Sequence, residues 1–99
     1  MEERNKLITL YDYYKELLND SQKNYFEEYY FNNLSLGEIA DNYNISRNAV
    51  HKHIKNIEEK LYFFEKGLKL VDKNTKLLNE VKKINDEKVK QKIIDILES

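Results

Sequence analysis

The chain has 99 residues and a net charge of −1, with 17 Lys and Arg side chains against 18 Asp and Glu. It contains no Cys, which excludes both a disulfide framework and a thiolate metal site. No apolar run approaches the roughly 20 residues of a membrane span and the N-terminus lacks a signal-peptide core, so we expect a cytoplasmic protein of one domain with at most an appendage.

Helical periodicity dominates the first third of the chain. There is no Pro, only two Gly, and no alternating strand pattern, so the sequence predicts an all-α protein. Apolar residues at three- and four-residue steps predict a helix over about 4–18. The segment "NDS" at 19–21 interrupts it, and "QKNYFEEYYF" at 22–31 predicts a second helix whose five aromatic side chains we expect to face the core.

The segment "SLGEIADNYNISRNAVHKHI" at 35–54 predicts a helix-turn-helix. Ser35 and Glu38 have the spacing of a capping box, which starts the third helix. Ala40 is the small residue needed where two helices cross, and Asn44 tolerates the left-handed backbone of a tight turn. Ser46 then caps the fourth helix. The expected apolar anchors are Ile39, Ile45, Val50 and Ile54.

The fourth helix is expected to be unusually long, over 47–74, because its apolar residues continue in a heptad pattern. The seam consists of Val50, Ile54, Ile57, Leu61, Phe64, Leu68 and Val71. It is expected to pack on the first helix, on the tail, or in a homodimer, and we favour a dimer. The chain thus divides into a helix-turn-helix domain at 1–74 and a helical C-terminal tail at 75–99, which Thr75 would cap and "NDE" at 85–87 would break.

The N-terminal part of the fourth helix carries side chains that suit DNA. Residues 1–45 have four basic and nine acidic side chains, whereas residues 46–73 have seven and four, and 46–57 contain no acid. Arg pairs with guanine, Asn with adenine, and Lys neutralises phosphate. The candidate nucleic-acid-binding residues are Ser46, Arg47, Asn48, His51, Lys52 and Lys55.

Other kinds of site lack support in the sequence. His51 and His53 are two residues apart, so on a helix they diverge and cannot form the i, i+4 pair of a metal site. The chain shows no Gly-rich phosphate loop, no nucleophile beside a base and no carboxylate cluster. We therefore expect no enzyme activity, no catalytic residue, no metal and no cofactor.

The stretch from "LYDYYKELLND" through "SLGEIADNYNISRNAVHKHI" to "YFFEKGLKL" closely resembles the YlxM family of small bacterial proteins. The likeness covers roughly residues 5–72, with "SLGEIA" and the "SR" and "AV" pairs that follow as its most specific part. That family is similar to region 4 of sigma factors, so the resemblance implies a helix-turn-helix of the winged-helix-like class of DNA-binding folds. It also implies a link to the signal recognition particle, with DNA, the particle's GTPase, its receptor or its RNA as partners.

Two functions from different classes follow from this reading. The first is a DNA-binding regulatory protein, acting in or regulating the protein-targeting pathway, in which the long helix pairs two copies. The second is a protein-interaction module that binds the particle's GTPase, its receptor or its RNA without reading a DNA sequence. In the second, the apolar side chains of Tyr62, Phe63, Phe64 and Leu70, or the tail, form the contact surface. RNA binding would use the same basic residues as DNA binding.

Overall fold

The computed structural model describes residues 2–99. Their helices are α1 (Glu2–Tyr14) followed by a 3-10 turn (Lys15–Leu17), α2 (Asp20–Tyr30), α3 (Leu36–Tyr43), α4 (Arg47–Leu68), α5 (Leu70–Val81) and α6 (Glu87–Glu98). No strand occurs in that range, which confirms the all-α prediction. None of the helices between residues 2 and 99 is long and apolar enough to cross a membrane. The chain forms two compact units, the first ending at Leu68 and the second being Lys69–Ser99.

The first unit is organised around α4. Helices α1, α2 and α3 each pack against α4, and α2 also contacts α3. The α4 residues that face this core are the first four of the predicted seam, and all are buried: Val50, Ile54, Ile57 and Leu61. This half of the seam therefore packs within the chain, against α1 among others, and is not free to pair two copies.

The aromatic residues of α2 supply much of the remaining core. Phe26 is completely buried and stacks between Tyr11 and Tyr30, with ring centroids 4.2 and 4.4 Å away. Tyr25 and Tyr29 are half-buried. Only Phe31, at the end of the predicted aromatic face, is largely exposed. The α2 aromatics thus form a core-facing surface, as the sequence predicts.

Three hydrogen bonds from tyrosine to glutamate join the helices of this unit. Tyr11 on α1 donates to Glu27 on α2, and Tyr30 on α2 donates to Glu58 on α4. Tyr14 donates to Glu65 of α4 at 2.5 Å. The Glu58 carboxylate therefore accepts a hydrogen bond from a buried tyrosine and links α4 to α2.

The fourth helix ends earlier than the sequence predicts. Lys69 adopts a left-handed backbone (φ 56°, ψ 32°), which stops α4 at Leu68 and starts a new helix one residue later. The prediction of one helix over 47–74 was therefore wrong. So was the prediction of Thr75 as a helix cap, since it lies inside α5. The domain division after residue 74 stays a prediction, and the compact unit boundary lies six residues earlier.

The second unit is a helical pair. Its α5 and α6 contact each other, and Asp86 caps α6 by accepting hydrogen bonds from the backbone N–H groups of Lys88 and Val89. This places the helix break at the predicted "NDE" segment. The structure describes all of this unit, and Val81, with 3% of its surface exposed, is its one buried residue. Ile96 lies at the other extreme, with 72% of its surface exposed.

Candidate nucleic-acid interface

Asn44 forms the corner between α3 and α4. Its backbone is left-handed (φ 54°, ψ 47°), as the sequence predicts, and its N–H donates to the carbonyl oxygens of Ala40 and Asp41. The N–H of Ile45 also donates to Ala40, at 3.0 Å. These bonds satisfy the last carbonyl groups of α3 while the chain reverses, so α4 starts at a fixed angle to α3.

The capping box at the start of α3 is formed as predicted. The Ser35 hydroxyl accepts from the N–H of Glu38 at 3.1 Å, and the Glu38 carboxylate accepts from the N–H of Ser35 at 2.9 Å. These hydrogen bonds from Ser35 hold the pKa of Glu38 below its usual value. Ile39 and Ala40 are buried in the next turn, where α3 packs on α4.

Ser46 fixes the first turn of α4. Its hydroxyl oxygen accepts from the N–H of Ala49 at 3.1 Å, which leaves the hydroxyl proton available for a donor bond. Arg47 follows directly and lies beside the start of α3, since a β-carbon added to Gly37 would be 3.8 Å from its Cδ atom. A β-carbon at position 37 would therefore be in ordinary van der Waals contact with the Arg47 stem.

The predicted recognition residues share one exposed face of α4. Arg47, Asn48, His51, Lys52 and Lys55 are all exposed. The buried side of α4, which we call the buried stripe, consists of Val50, Ile54, Ile57 and Leu61. At about 100° per residue, the exposed residues cover an arc of about 140° around the helix, and the centre of this arc is about 120° from the centre of the buried stripe. Within residues 2–99, the cations of this arc form no ion pair with an acidic side chain. The first half of α4 therefore presents positive charge that the fold leaves unneutralised. We call these five residues the recognition face.

His53 is not part of the recognition face. Its ring stacks on Tyr25 of α2, with centroids 4.9 Å apart and planes 8° apart, and Tyr43 of α3 packs edge-on against the same tyrosine. The nearby Glu28 carboxylate raises the pKa of Tyr43 to about 12. This cluster leaves no signal in the sequence, because its members come from three helices and share no local spacing. In the part of the chain that the structure describes, no three His, Cys, Asp or Glu side chains are grouped so that they could hold a metal ion.

Comparison with known proteins agrees with this architecture. The sequence profile of the UPF0122 family, described as "Putative helix-turn-helix protein, YlxM / p13 like", matches residues 1–98. A UPF0122 protein of Caldanaerobacter subterraneus is 43% identical over 80 residues, which are 81% of this chain and 68% of that protein. A UPF0122 protein of Mycoplasma capricolum is 41% identical over 92 residues, 93% of this chain and 81% of that protein. The chain belongs to the UPF0122 family of YlxM/p13-like helix-turn-helix proteins.

Proposed function

We propose that this protein binds duplex DNA by placing the first half of α4 in the major groove. The observation that carries the proposal is the recognition face, whose exposed cations have no acidic partner among residues 2–99. A helix-turn-helix presents the N-terminal residues of its second helix to base edges, and α4 is that helix. A cytoplasmic location and a homodimeric state belong to the same proposal.

Each side chain of the interface has a role that follows from its chemistry. Arg47 would bond the O6 and N7 atoms of guanine, and Asn48 the N6 and N7 atoms of adenine. Lys52 and Lys55 would neutralise phosphates, and the Ser46 hydroxyl would donate to a phosphate oxygen. His51 lies between Arg47 and Lys55 on the same face, where either ring nitrogen can reach a base edge or a phosphate.

Fluorescence anisotropy across a salt series tests this proposal. The probes are the duplex from upstream of the protein's own gene, a scrambled duplex of equal length, and the RNA of the signal recognition particle. We expect binding to the native duplex that weakens steeply with salt. In the double variant Arg47→Ala with Lys52→Ala, the affinity and the preference for the native duplex should fall because the guanine contact of Arg47 is lost. The slope of log K against log salt should shrink by about 0.9, because one phosphate contact, that of Lys52, is lost.

A matched control removes the same charge from outside α4. Lys15→Ala with Lys88→Ala should leave both the affinity and the salt slope close to those of the unmodified chain, and circular dichroism should show the same helicity for both double variants. Unchanged affinity in the α4 variant would count against DNA binding through this face. Preference for the particle's RNA would move the same residues to an RNA ligand.

A second candidate function is suggested by a different surface. Phe63 has 72% of its surface exposed and Leu70 has 45%, whereas Tyr62 and Phe64 are half-buried. Exposed apolar side chains of this size are frequent at protein–protein contacts. We propose as the alternative that Tyr62, Phe63 and Phe64 on α4, or separately Leu70 of the second unit, bind the GTPase of the signal recognition particle or its receptor. Retention on either purified protein after nuclease treatment would support this function, and no retention on both would remove it.

A further inference from the structure

The second half of α4 carries an exposed aromatic residue that the core does not use. Leu61, two positions before it, is completely buried, and Phe64 is half-buried against Tyr14 at 6.0 Å. Phe63 instead points outward, with 72% of its surface exposed and its ring edge-on to Phe64 at 6.2 Å. Leaving a large apolar side chain in water forgoes about 2 kcal/mol of burial, so a contact that covers it would be favourable.

Two oppositely charged side chains flank Phe63 on the same side of the helix. Glu59 lies one turn before it and Lys66 one turn after it, and both are exposed. Neither forms an ion pair with any other residue between 2 and 99. Gly67 adds an open position next to Phe63, since a β-carbon built there would meet no atom within 4 Å. The surface thus combines an apolar centre, one charge of each sign, and a gap.

This arrangement is complementary to itself. A two-fold contact requires that residue i of one copy meets residue j of the other while j meets i. If two α4 helices cross antiparallel at Phe63, the two rings meet at the axis. Glu59 of each copy then faces Lys66 of the other, and Lys60 lies over the open position of Gly67. We propose that this face of α4 binds a second copy of the chain.

The contact leaves the recognition face free. At about 100° per residue, Phe63 lies about 90° around α4 from the centre of the recognition face. In an antiparallel pair, the two-fold axis is perpendicular to both α4 helices and to the line that joins them. The recognition face of each copy points along this axis, so both faces lie on the same side of the dimer. The buried stripe lies about 150° from Phe63, so each helical bundle is directed away from the other copy.

The length of α4 between the two surfaces sets a spacing, and this step rests on the proposed DNA binding. Phe63 lies twelve residues beyond His51, which corresponds to about 18 Å of helix. Two copies that meet at Phe63 therefore hold their recognition faces about 36 Å apart along α4. The dimer would present both recognition faces to one side of a duplex.

A single crossing of two helices buries little surface. Stable complexes bury about 1,200–2,000 Å², and one contact centred on Phe63 falls below that range. The dimer is therefore weak in solution, and a duplex that engages both recognition faces should stabilise it by holding the copies together.

Sedimentation equilibrium of the full chain without DNA tests the contact. From micromolar to millimolar protein, we expect a monomer–dimer equilibrium, which Phe63→Asp should abolish by placing two carboxylates at the axis. Ile96→Asp is the matched control, because Ile96 on α6 is equally exposed, and it should leave the equilibrium unchanged. A chain that stays monomeric throughout, or a dimer that Ile96→Asp abolishes and Phe63→Asp does not, overturns the proposal.

Exchanging the charges of Glu59 and Lys66 tests whether these two side chains contact each other directly across the dimer. Glu59→Lys alone should weaken the dimer at least tenfold, because it places two lysines against each other at both ends of the contact. Adding Lys66→Glu should restore the dimer, since each pair is then re-formed with its signs exchanged. Failure of the double variant to regain dimerisation would overturn this register.

Hydroxyl-radical footprinting on the upstream duplex completes the test. We expect two protected segments for the unmodified chain, and one segment for Phe63→Asp. Association is measured without DNA, so loss of DNA binding alone overturns the proposed function and leaves the dimer contact standing. A chain that binds the duplex as a monomer overturns the contact and leaves the proposed function standing.

Discussion

Asn44 is the residue on which the geometry of the helix-turn-helix depends most directly. A residue with a β-carbon pays about 1–2 kcal/mol to adopt the left-handed backbone, and Asn offsets part of that cost because its short polar side chain can bond locally. Its conformation allows the N–H groups of residues 44 and 45 to reach back to α3. The direction in which α4 leaves the corner is therefore set by one backbone conformation.

We expect opposite results from two substitutions at this position. Asn44→Gly should leave the free energy of unfolding equal or slightly higher, because Gly adopts the left-handed conformation without a steric penalty. Asn44→Val should lower it by about 1–2 kcal/mol, because a β-branched side chain fits that region worst. Urea denaturation followed by circular dichroism measures both. Equal stability of the Gly and Val variants would show that the turn is not strained.

The sequence allowed the corner to be predicted because its signals are local. Ser35 and Glu38 are three residues apart, and the turn residue lies between two short periodic segments, so spacing alone locates the caps and the helices. The recognition face follows from the same information, since residues four apart on a helix share a side. What the spacing leaves open is which base, if any, each side chain would contact.

At the scale of the helices, the crossing of α3 and α4 positions the recognition face. Ala40, on the α3 helix that packs against α4, has only 5% of its surface exposed, and Ile39 beside it is completely buried. A small side chain permits the two helices to approach closely. The angle of α4 thus depends on the volume of one residue as well as on the turn.

Enlarging that residue should disturb both stability and DNA binding. Ala40→Leu is expected to lower the free energy of unfolding by about 1–3 kcal/mol, because the crossing has no space for three further carbon atoms. The helices must then separate, which should weaken binding to the native duplex even where the variant is fully folded. Ala40→Ser, nearly equal in volume, is the control. Wild-type stability of the Leu variant would mean that the crossing is loosely packed.

The early end of α4 could not be read from the sequence. Lysine is a good helix former, and Leu68 and Val71 keep the three-residue step across Lys69. Gly67 is the local signal for a bend, but it lies within α4, two residues before the left-handed Lys69, so it does not locate the break. The tyrosine–glutamate bonds were missed for a related reason. Their partners are 16 to 51 residues apart, and only the folded chain brings them together.

At the scale of the whole molecule, these hydrogen bonds make the fold sensitive to alkaline pH. Burial, with the hydrogen bond from each hydroxyl to its glutamate, raises the pKa of Tyr11 and of Tyr30. Such a tyrosine holds its proton more tightly in the folded chain than in the unfolded chain. Its contribution to stability is complete below the ordinary pKa of about 10 and decreases as the pH rises above it.

The free energy of unfolding should therefore be insensitive to these two groups up to about pH 10 and decline beyond it, by up to about 1.4 kcal/mol per pH unit for each group. Denaturation series at stepwise pH measure the slope. Tyr11→Phe with Tyr30→Phe should flatten it. Tyr29→Phe should not, because within residues 2–99 the Tyr29 hydroxyl has no carboxylate partner. A slope that is the same in all three proteins would contradict this account.

The continuity of α4 restricts how such a protein can change its length. One residue inserted between Lys55 and Ile57 would rotate everything beyond it by about 100°, which would turn Leu61 out of the core and Phe63 away from its side of the helix. Insertions of seven residues, two full turns, nearly restore the orientation but lengthen the helix by about 10 Å. In this segment a length change that preserves the fold must come in whole turns, and each one would alter the distance between the recognition faces of a pair. The turn between α5 and α6 has no such restriction, so additions and deletions should be tolerated there.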